Sequence, residues 1–206
     1  MTVRTVLWDA DGVLQRIPNG WHESMRPAVE GRVDDVEAFL QEAWREERPA
    51  LAGQARWTEV LPGLLERWGI ADSYDEVLAV WLSIEEVPGT HDVVRALRDK
   101  GIRCCLATNQ DVHRGRHMHG RFAYADLFDE AFYSYELGVA KPDPGYFRAI
   151  LGRLGAPAHE VLFLDDNQGN VDAARSVGLH AEQWQHEHGL DALLTLLDEH
   201  GLPVRR

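Results

Sequence analysis

Val3-Arg4-Thr5-Val6-Leu7-Trp8-Asp9-Ala10-Asp11-Gly12-Val13 is the stretch on which the rest of the chain depends. Residues 3–8 are short, β-branched and apolar, the pattern of a buried strand. The strand runs directly into two carboxylates, Asp9 and Asp11, and then into Gly12. An open α/β sheet places its ligands at the carboxyl ends of its strands, so the two acids stand where chemistry is done. One residue between them sends both side chains in a related direction. Gly12 lets the chain turn sharply behind them. One carboxylate can then attack while the other handles a proton.

Working outward from Gly12, Pro18, Asn19 and Gly20 mark a loop. Residues 21–87 carry helical periodicity and no strand signal. Val36, Phe39, Leu40 and Ala43 fall at i, i+3, i+4 and i+7, as do Leu61, Leu64, Leu65 and Trp68, and Val77, Leu78, Trp81 and Leu82 repeat the stripe. Ser73 with Glu76 three residues on predicts a capping box. Five of the seven tryptophans, Trp21, Trp44, Trp57, Trp68 and Trp81, lie here, most of them expected in a core and some at a pocket wall.

Pro88 and Gly89 break the pattern, and Thr90 is placed to cap the next helix, with Val93, Val94 and Leu97 facing inward. Strands are predicted at 102–107, 131–133, 161–164 and 180–184. Helices are predicted from Asp111, from Pro144, around 171–177 and at 190–199. The fold class that follows is α/β: a doubly wound parallel sheet with an α-helical insertion after the first strand. The boundaries are residues 1–14 and 88–206 for the core and 15–87 for the insertion. The biased tract His113-Arg114-Gly115-Arg116-His117-Met118-His119 reads as a solvated basic helix surface, because no cysteine or carboxylate completes a metal set.

The chain has 206 residues with a net charge of -13, from 21 basic and 34 acidic side chains. That balance argues against a nucleic-acid partner and against an anionic membrane surface. A small anionic substrate stays open, since a bound cation can reverse a local field. Cys104 and Cys105, adjacent in an apolar run, read as reduced core thiols. No apolar run approaches a membrane span and no signal-peptide pattern opens the sequence, so the expected compartment is cytoplasmic.

The strand ends deliver a constellation: Asp9 and Asp11, then Thr108 and Asn109, then Lys141 from a loop, then Asp165 and Asp166. Four carboxylates in one crevice repel, each close pair by roughly 4 kcal/mol at 4 Å in a medium of effective dielectric near 20. One lysine cannot neutralise them and also attract a phosphate dianion. A hard divalent cation can, and Mg²⁺ suits carboxylates, waters and substrate oxygens.

The four motifs, Asp9-Ala10-Asp11-Gly12-Val13, Thr108-Asn109, Lys141-Pro142 and Asp165-Asp166-Asn167, resemble those of the haloacid dehalogenase superfamily, whose members are mostly phosphatases. The likeness covers nearly the whole chain. The segment from Leu137 to Asp143 with Asp165-Asp166-Asn167 is similar to the sugar-phosphatase branch that includes α-D-glucose-1-phosphate phosphatase, and to the phosphatase domain of soluble epoxide hydrolases. The resemblance implies a Rossmann-like core with a helical cap and a small phosphorylated metabolite as substrate. It implies Mg²⁺ held by the Asp9 carboxylate, the Asp11 backbone carbonyl and the Asp166 carboxylate. Asp165 would act directly or through water, with Asn170 bracing the loop. It makes Asp9 the nucleophile and Asp11 the acid and base, with Thr108, Asn109 and Lys141 on the phosphoryl oxygens near the N-terminus of the following helix. Ala10 stands where relatives often carry a larger apolar residue. A phosphomutase outcome stays compatible with these motifs. Asp11 and the pair Asp165-Asp166 speak against halide displacement, and the full catalytic set speaks against a non-catalytic module. Monomer and homodimer are both open.

Overall fold

A computed structural model of the chain describes residues 2–202 and 204. From the N-terminus, β1 (Thr5–Trp8) is followed by a two-residue strand β2 (Gln15–Arg16) and four helices, α1 (Gly20–Val29), α2 (Val36–Leu51), α3 (Trp57–Arg67) and α4 (Tyr74–Leu82). A second two-residue strand, β3 (Glu85–Glu86), precedes α5 (Thr90–Asp99), β4 (Arg103–Thr108), α6 (Val112–Arg121) and the single turn α7 (Tyr124–Leu127). Then come β5 (Glu130–Tyr133), the single turn α8 (Ser134–Leu137), α9 (Pro144–Leu154), β6 (Val161–Asp165), α10 (Gln168–Ser176), β7 (His180–Gln183) and α11 (Leu190–Glu199).

The main sheet is parallel, in the order β5-β4-β1-β6-β7. β1 is central because all four of its residues are buried, a run that only a strand covered on both faces tolerates. Alternation divides it between two cores. Val6 and Trp8 pack with Leu106, Leu162 and Leu164 against α5 and α11. Leu7 packs with Ala107, Phe132 and Phe163 against α9 and α10. Trimming Leu7 to Ala would cost roughly 2–5 kcal/mol, since its neighbours cannot close on the void. The same period-two rule sends Cys104 to one core and Cys105 to the other. Both are free thiols, and burial pushes each up to about 12, so neither is a nucleophile.

Helices α1 to α4 bury their stripes in a third core, with Phe39, Leu40, Ala43, Leu61, Leu64, Leu65, Val77 and Trp81 inside. The chain leaves the main sheet and returns beside itself. Gln15 and Arg16 pair antiparallel with Glu86 and Glu85, Arg16 holds Glu85 at 2.7 Å, and Val87 N–H donates to the Leu14 carbonyl at 2.9 Å.

Some local expectations are corrected. The Ser73–Glu76 capping box does not form; Ser73 is buried, and its hydroxyl accepts from Arg32 at 2.6 Å. Thr90 is the first residue of α5 rather than its cap, and its hydroxyl donates to the Val87 carbonyl. Ala10 is fully buried in the α5/α11 core. Among the described residues no helix is long and apolar enough to cross a membrane.

Candidate active site

The register of the sheet assembles the site. Trp8 pairs with Leu106 on one side and Leu164 on the other, so β1, β4 and β6 end together. Asp9, Thr108 and Asp165 therefore project from adjacent strand ends. Lys141, in the loop before α9, reaches between them. Its ammonium donates to Asp9 Oδ1 at 2.7 Å, to Asp165 Oδ2 at 2.6 Å and to the Ala107 carbonyl at 2.9 Å. Three N–H bonds use all the donors that an ammonium has.

Asp9, Asp165 and Asp166 each offer a carboxylate oxygen within 4.8 Å of the others. Burial pushes Asp9 well above the usual carboxylate range; Lys141 opposes that, while Asp165 and Asp166 add to it. Burial, then Asp165, raises Asp166 to about 7. Burial works against the charge on Lys141, but Asp165 and Asp9 outweigh it and raise its pKa. The ammonium stays charged, and one cation does not suffice for three acids. This donor set fits a hard divalent cation.

The loops are braced around this cluster. Asp165 accepts from Asn170 Nδ2 at 2.9 and 3.1 Å and from the Asn167 N–H at 2.8 Å, so with Lys141 its oxygens are well occupied. It is fully buried, and its place is to hold the loop rather than to face solvent. Asn167 caps α10 through its Oδ1 to the Gly169 N–H. Gln183 holds the Asp166 carbonyl, and the His186 N–H donates to the Gly12 carbonyl. Gly12 has φ +78°, and a Cβ there would overlap the Asp166 carboxylate. The positive φ and that close approach together demand glycine.

Asn109 bridges to the Lys141 backbone from both ends of its amide: Nδ2 donates to the carbonyl at 2.8 Å and Oδ1 accepts from the N–H at 2.9 Å. It positions the lysine loop. Thr108 is buried, and its hydroxyl accepts from Gln110 at 3.3 Å.

Asp11 carries what the sequence reading missed. Arg114 binds it with both terminal nitrogens, at 2.5 and 2.8 Å, Gln110 donates at 2.7 Å and Gln15 at 3.0 Å. Burial would raise Asp11, but the charge and hydrogen bonds of Arg114, with those of Gln15 and Gln110, lower it instead. Arg114 lies in the histidine-rich tract expected to be solvated; it is 3% exposed. Its Nε donates to the Trp81 carbonyl, and its guanidinium lies 5.7 Å from the Trp21 ring centre. One residue of α6 thus ties the sheet side of the site to two residues of the helical segment. The available signal was Gln110 and Arg114 at i, i+4, directly after Thr108 and Asn109.

Chemically, the arrangement offers a buried carboxylate beside a held ammonium, a cation site next to it, and a second carboxylate one residue on. The chain is similar to known proteins. The chain matches a sesquiterpene phosphatase, astK, of Aspergillus oryzae with 36% identity over 90 residues, 42% of this chain and 44% of that one. A phosphorylated carbohydrates phosphatase of Thermotoga maritima matches at 25% identity over 186 residues, covering 86% of this chain and 82% of that protein. The chain spans less than half the length of the fungal relatives it matches, 15% in one case and 44% in the other. A haloacid dehalogenase family enzyme of Bacteroides thetaiotaomicron, solved with magnesium and inorganic phosphate, superposes with a TM-score of 0.75 at 20% identity over 93% of this chain and 98% of that one; at such identity the likeness is one of fold. A family model, haloacid dehalogenase-like hydrolase, matches residues 3–178, a span that includes Asp9, Thr108, Lys141 and Asp165. With that span, this chain belongs to the haloacid dehalogenase-like hydrolases.

Proposed function

We propose that the chain is a Mg²⁺-dependent phosphatase that hydrolyses a small phosphorylated metabolite, a sugar phosphate, through an aspartyl-phosphate, the acyl phosphate of Asp9. The single observation that carries this reading is the cluster of Asp9, Asp165 and Asp166 around Lys141, with oxygens within 4.8 Å of one another. Asp9, Asp166 and the Asp11 backbone carbonyl would hold the cation. Bound there, it would offset the repulsion among the acids and draw charge from the transferring phosphoryl group.

The residues divide the work. Lys141, exchanging one of its three present partners, and the Thr108–Asn109 turn just before α6 would hold phosphoryl oxygens. An Asp9 oxygen attacks phosphorus in line; the bond from phosphorus to the alcohol oxygen breaks, and Asp11 gives that oxygen its proton. In the second half Asp11 takes a proton from water, the water oxygen bonds to phosphorus, and Asp9 is released. Arg114 keeps the resting Asp11 ionised, which suits the base half. The acid half requires that an arriving phosphate dianion raise Asp11 again, since a nearby negative charge favours the protonated form. We assign residues 15–87 as a cap that closes over this chemistry and excludes water.

The test separates the two roles of Asp11. Asp11→Asn should lose roughly 10²–10⁴-fold with sugar phosphates, whose alcohols need a proton to leave. With p-nitrophenyl phosphate, whose leaving group needs none, it should give a burst of about one p-nitrophenol per site and then slow turnover. Asp9→Asn should give no burst. Loss of both substrates equally without a burst, in a variant with an intact melting curve, removes the two-role assignment.

A further inference from the structure

On α2 the buried face runs Phe39, Leu40, Ala43, Glu47 and Ala50. Glu47 occupies a position where the stripe demands an apolar side chain, and a residue that breaks the local rule marks a functional site. It is 8% exposed. One of its oxygens accepts from Trp81 Nε1 at 3.0 Å. It lines a cavity of about 100 Å³ whose other walls are Trp21, Trp44, Leu51 and Trp81, and whose floor is Asp11, Asn109 and Arg114. The cavity opens on the residues assigned to the phosphoryl group, so its contents would be the alcohol that leaves.

We propose that Glu47 is a specificity-determining residue, selecting an uncharged, hydroxylated leaving group of about three carbons. The proposal rests on the phosphatase reading and adds the substrate class.

Three features carry it. The first is charge. Arg114 is already bound by both oxygens of Asp11, and Asp111 sits nearby with a buried oxygen that has no hydrogen-bond partner. Burial and then the Asp111 charge raise Glu47 to about 8, while Arg114 lowers it. A carboxylate on the leaving group would enter among these acids unpaired. A cationic leaving group would meet the Arg114 guanidinium, which takes the cation–π place beside Trp21. The second is hydrogen bonding. A buried carboxyl can give or accept a hydrogen bond with a hydroxyl, and a site built for that group discriminates against analogues lacking it. The third is size. An engineered cavity of about 150 Å³ holds benzene, so 100 Å³ holds roughly four or five non-hydrogen atoms, short of a hexose.

The experiment measures kcat/KM for phosphate release from glycerol phosphate, 3-phosphoglycerate, phosphoethanolamine and glucose 6-phosphate, with Mg²⁺. The full chain, Glu47→Gln and Glu47→Ala are compared. The unaltered protein should prefer glycerol phosphate to each of the others by about tenfold or more. Glu47→Ala should cut the glycerol phosphate to 3-phosphoglycerate ratio by at least about tenfold, and Glu47→Gln, uncharged like the protonated acid and still able to hydrogen-bond, by less. The ratio is blind to a changed folded fraction, so a merely structural Glu47 would not move it. An unaltered protein that turns over p-nitrophenyl phosphate but shows no such preference, or a Glu47→Ala variant that keeps the ratio, overturns the proposal alone. No phosphate release from any ester, p-nitrophenyl phosphate included, overturns the phosphatase reading with it.

Discussion

At the scale of single residues, Gly12 and Glu47 are constrained by opposite pressures. Gly12 must lack a Cβ because the Asp166 carboxylate fills that space at φ +78°. Gly12→Ala should therefore displace Asp166, weakening Mg²⁺ in calorimetric titration by about tenfold or more while costing roughly 1–3 kcal/mol of stability through strain. Unchanged Mg²⁺ affinity would show that the close approach is dispensable. Glu47 is a buried acid raised from 4.5 to about 8. The folded chain then holds a proton that the unfolded chain releases, so this group's contribution to stability is full below pH 4.5 and is lost as pH rises through 8. Between pH 6 and 8 the loss should be about 2 kcal/mol, on the basis of about 1.4 kcal/mol per unit. Glu47→Gln carries no titrating group, so the difference in stability between it and the parent should move with pH by that amount in denaturant titrations. A pH-independent difference would mean that Glu47 is ionised in the fold.

At the scale of elements, what the sequence revealed follows from periodicity, and what it hid follows from contacts between distant segments. The strand ends at Asp9, Thr108 and Asp165 were legible because apolar runs stop there, and Leu190–Glu199 because its stripe is regular. Arg114 was not. Its neighbours in sequence are histidines, arginine and glycine, and its burial is decided by Asp11, 103 residues away, and by Trp81. Ser73 failed as a cap for the same reason, because Arg32 claimed its hydroxyl. Gly53, just beyond α2, is a further such contact: a Cβ there would overlap the Tyr135 carbonyl of α8. If residues 15–87 close as a cap, Gly53→Val should hold them off the sheet side and lower kcat/KM by about tenfold, the scale of a mispositioned closure. Gly31 has nearly the same φ, +72°, with nothing within 4 Å of an added Cβ. Gly31→Val should then lose similar stability and keep its kcat/KM. Equal losses of activity in both would remove the docking role of Gly53.

At the scale of the whole molecule, 34 acidic and 21 basic residues make an acidic protein, and the Asp9–Asp165–Asp166 cluster brings three of those acids together. Relief of that cluster should be visible in global stability. At 100 times its Kd, Mg²⁺ should add about 2.7 kcal/mol, or roughly 5–10 °C in Tm for a chain of this size. The pH dependence has a fixed sign. Without the cation, Asp166 is raised to about 7, so the fold holds that proton more tightly than the unfolded chain and loses stability as pH rises through 7. The cation takes the ionised acid, so its apparent affinity should fall about tenfold for each unit below pH 7. The two trends oppose: the cation-free protein is firmer at pH 6 than at 8, and the Mg²⁺ increment is larger at pH 8 than at 6. Asp166→Asn removes the Mg²⁺ increment and the Asp166 share of the first trend, leaving the share that Glu47 contributes, because it keeps neither the Asp166 proton nor the anionic ligand. Differential scanning calorimetry of the parent and Asp166→Asn, with and without Mg²⁺ at the two pH values, reads all of this. An increment in Tm that is equal at pH 6 and 8, or one that survives Asp166→Asn undiminished, would place the cation elsewhere than at this cluster.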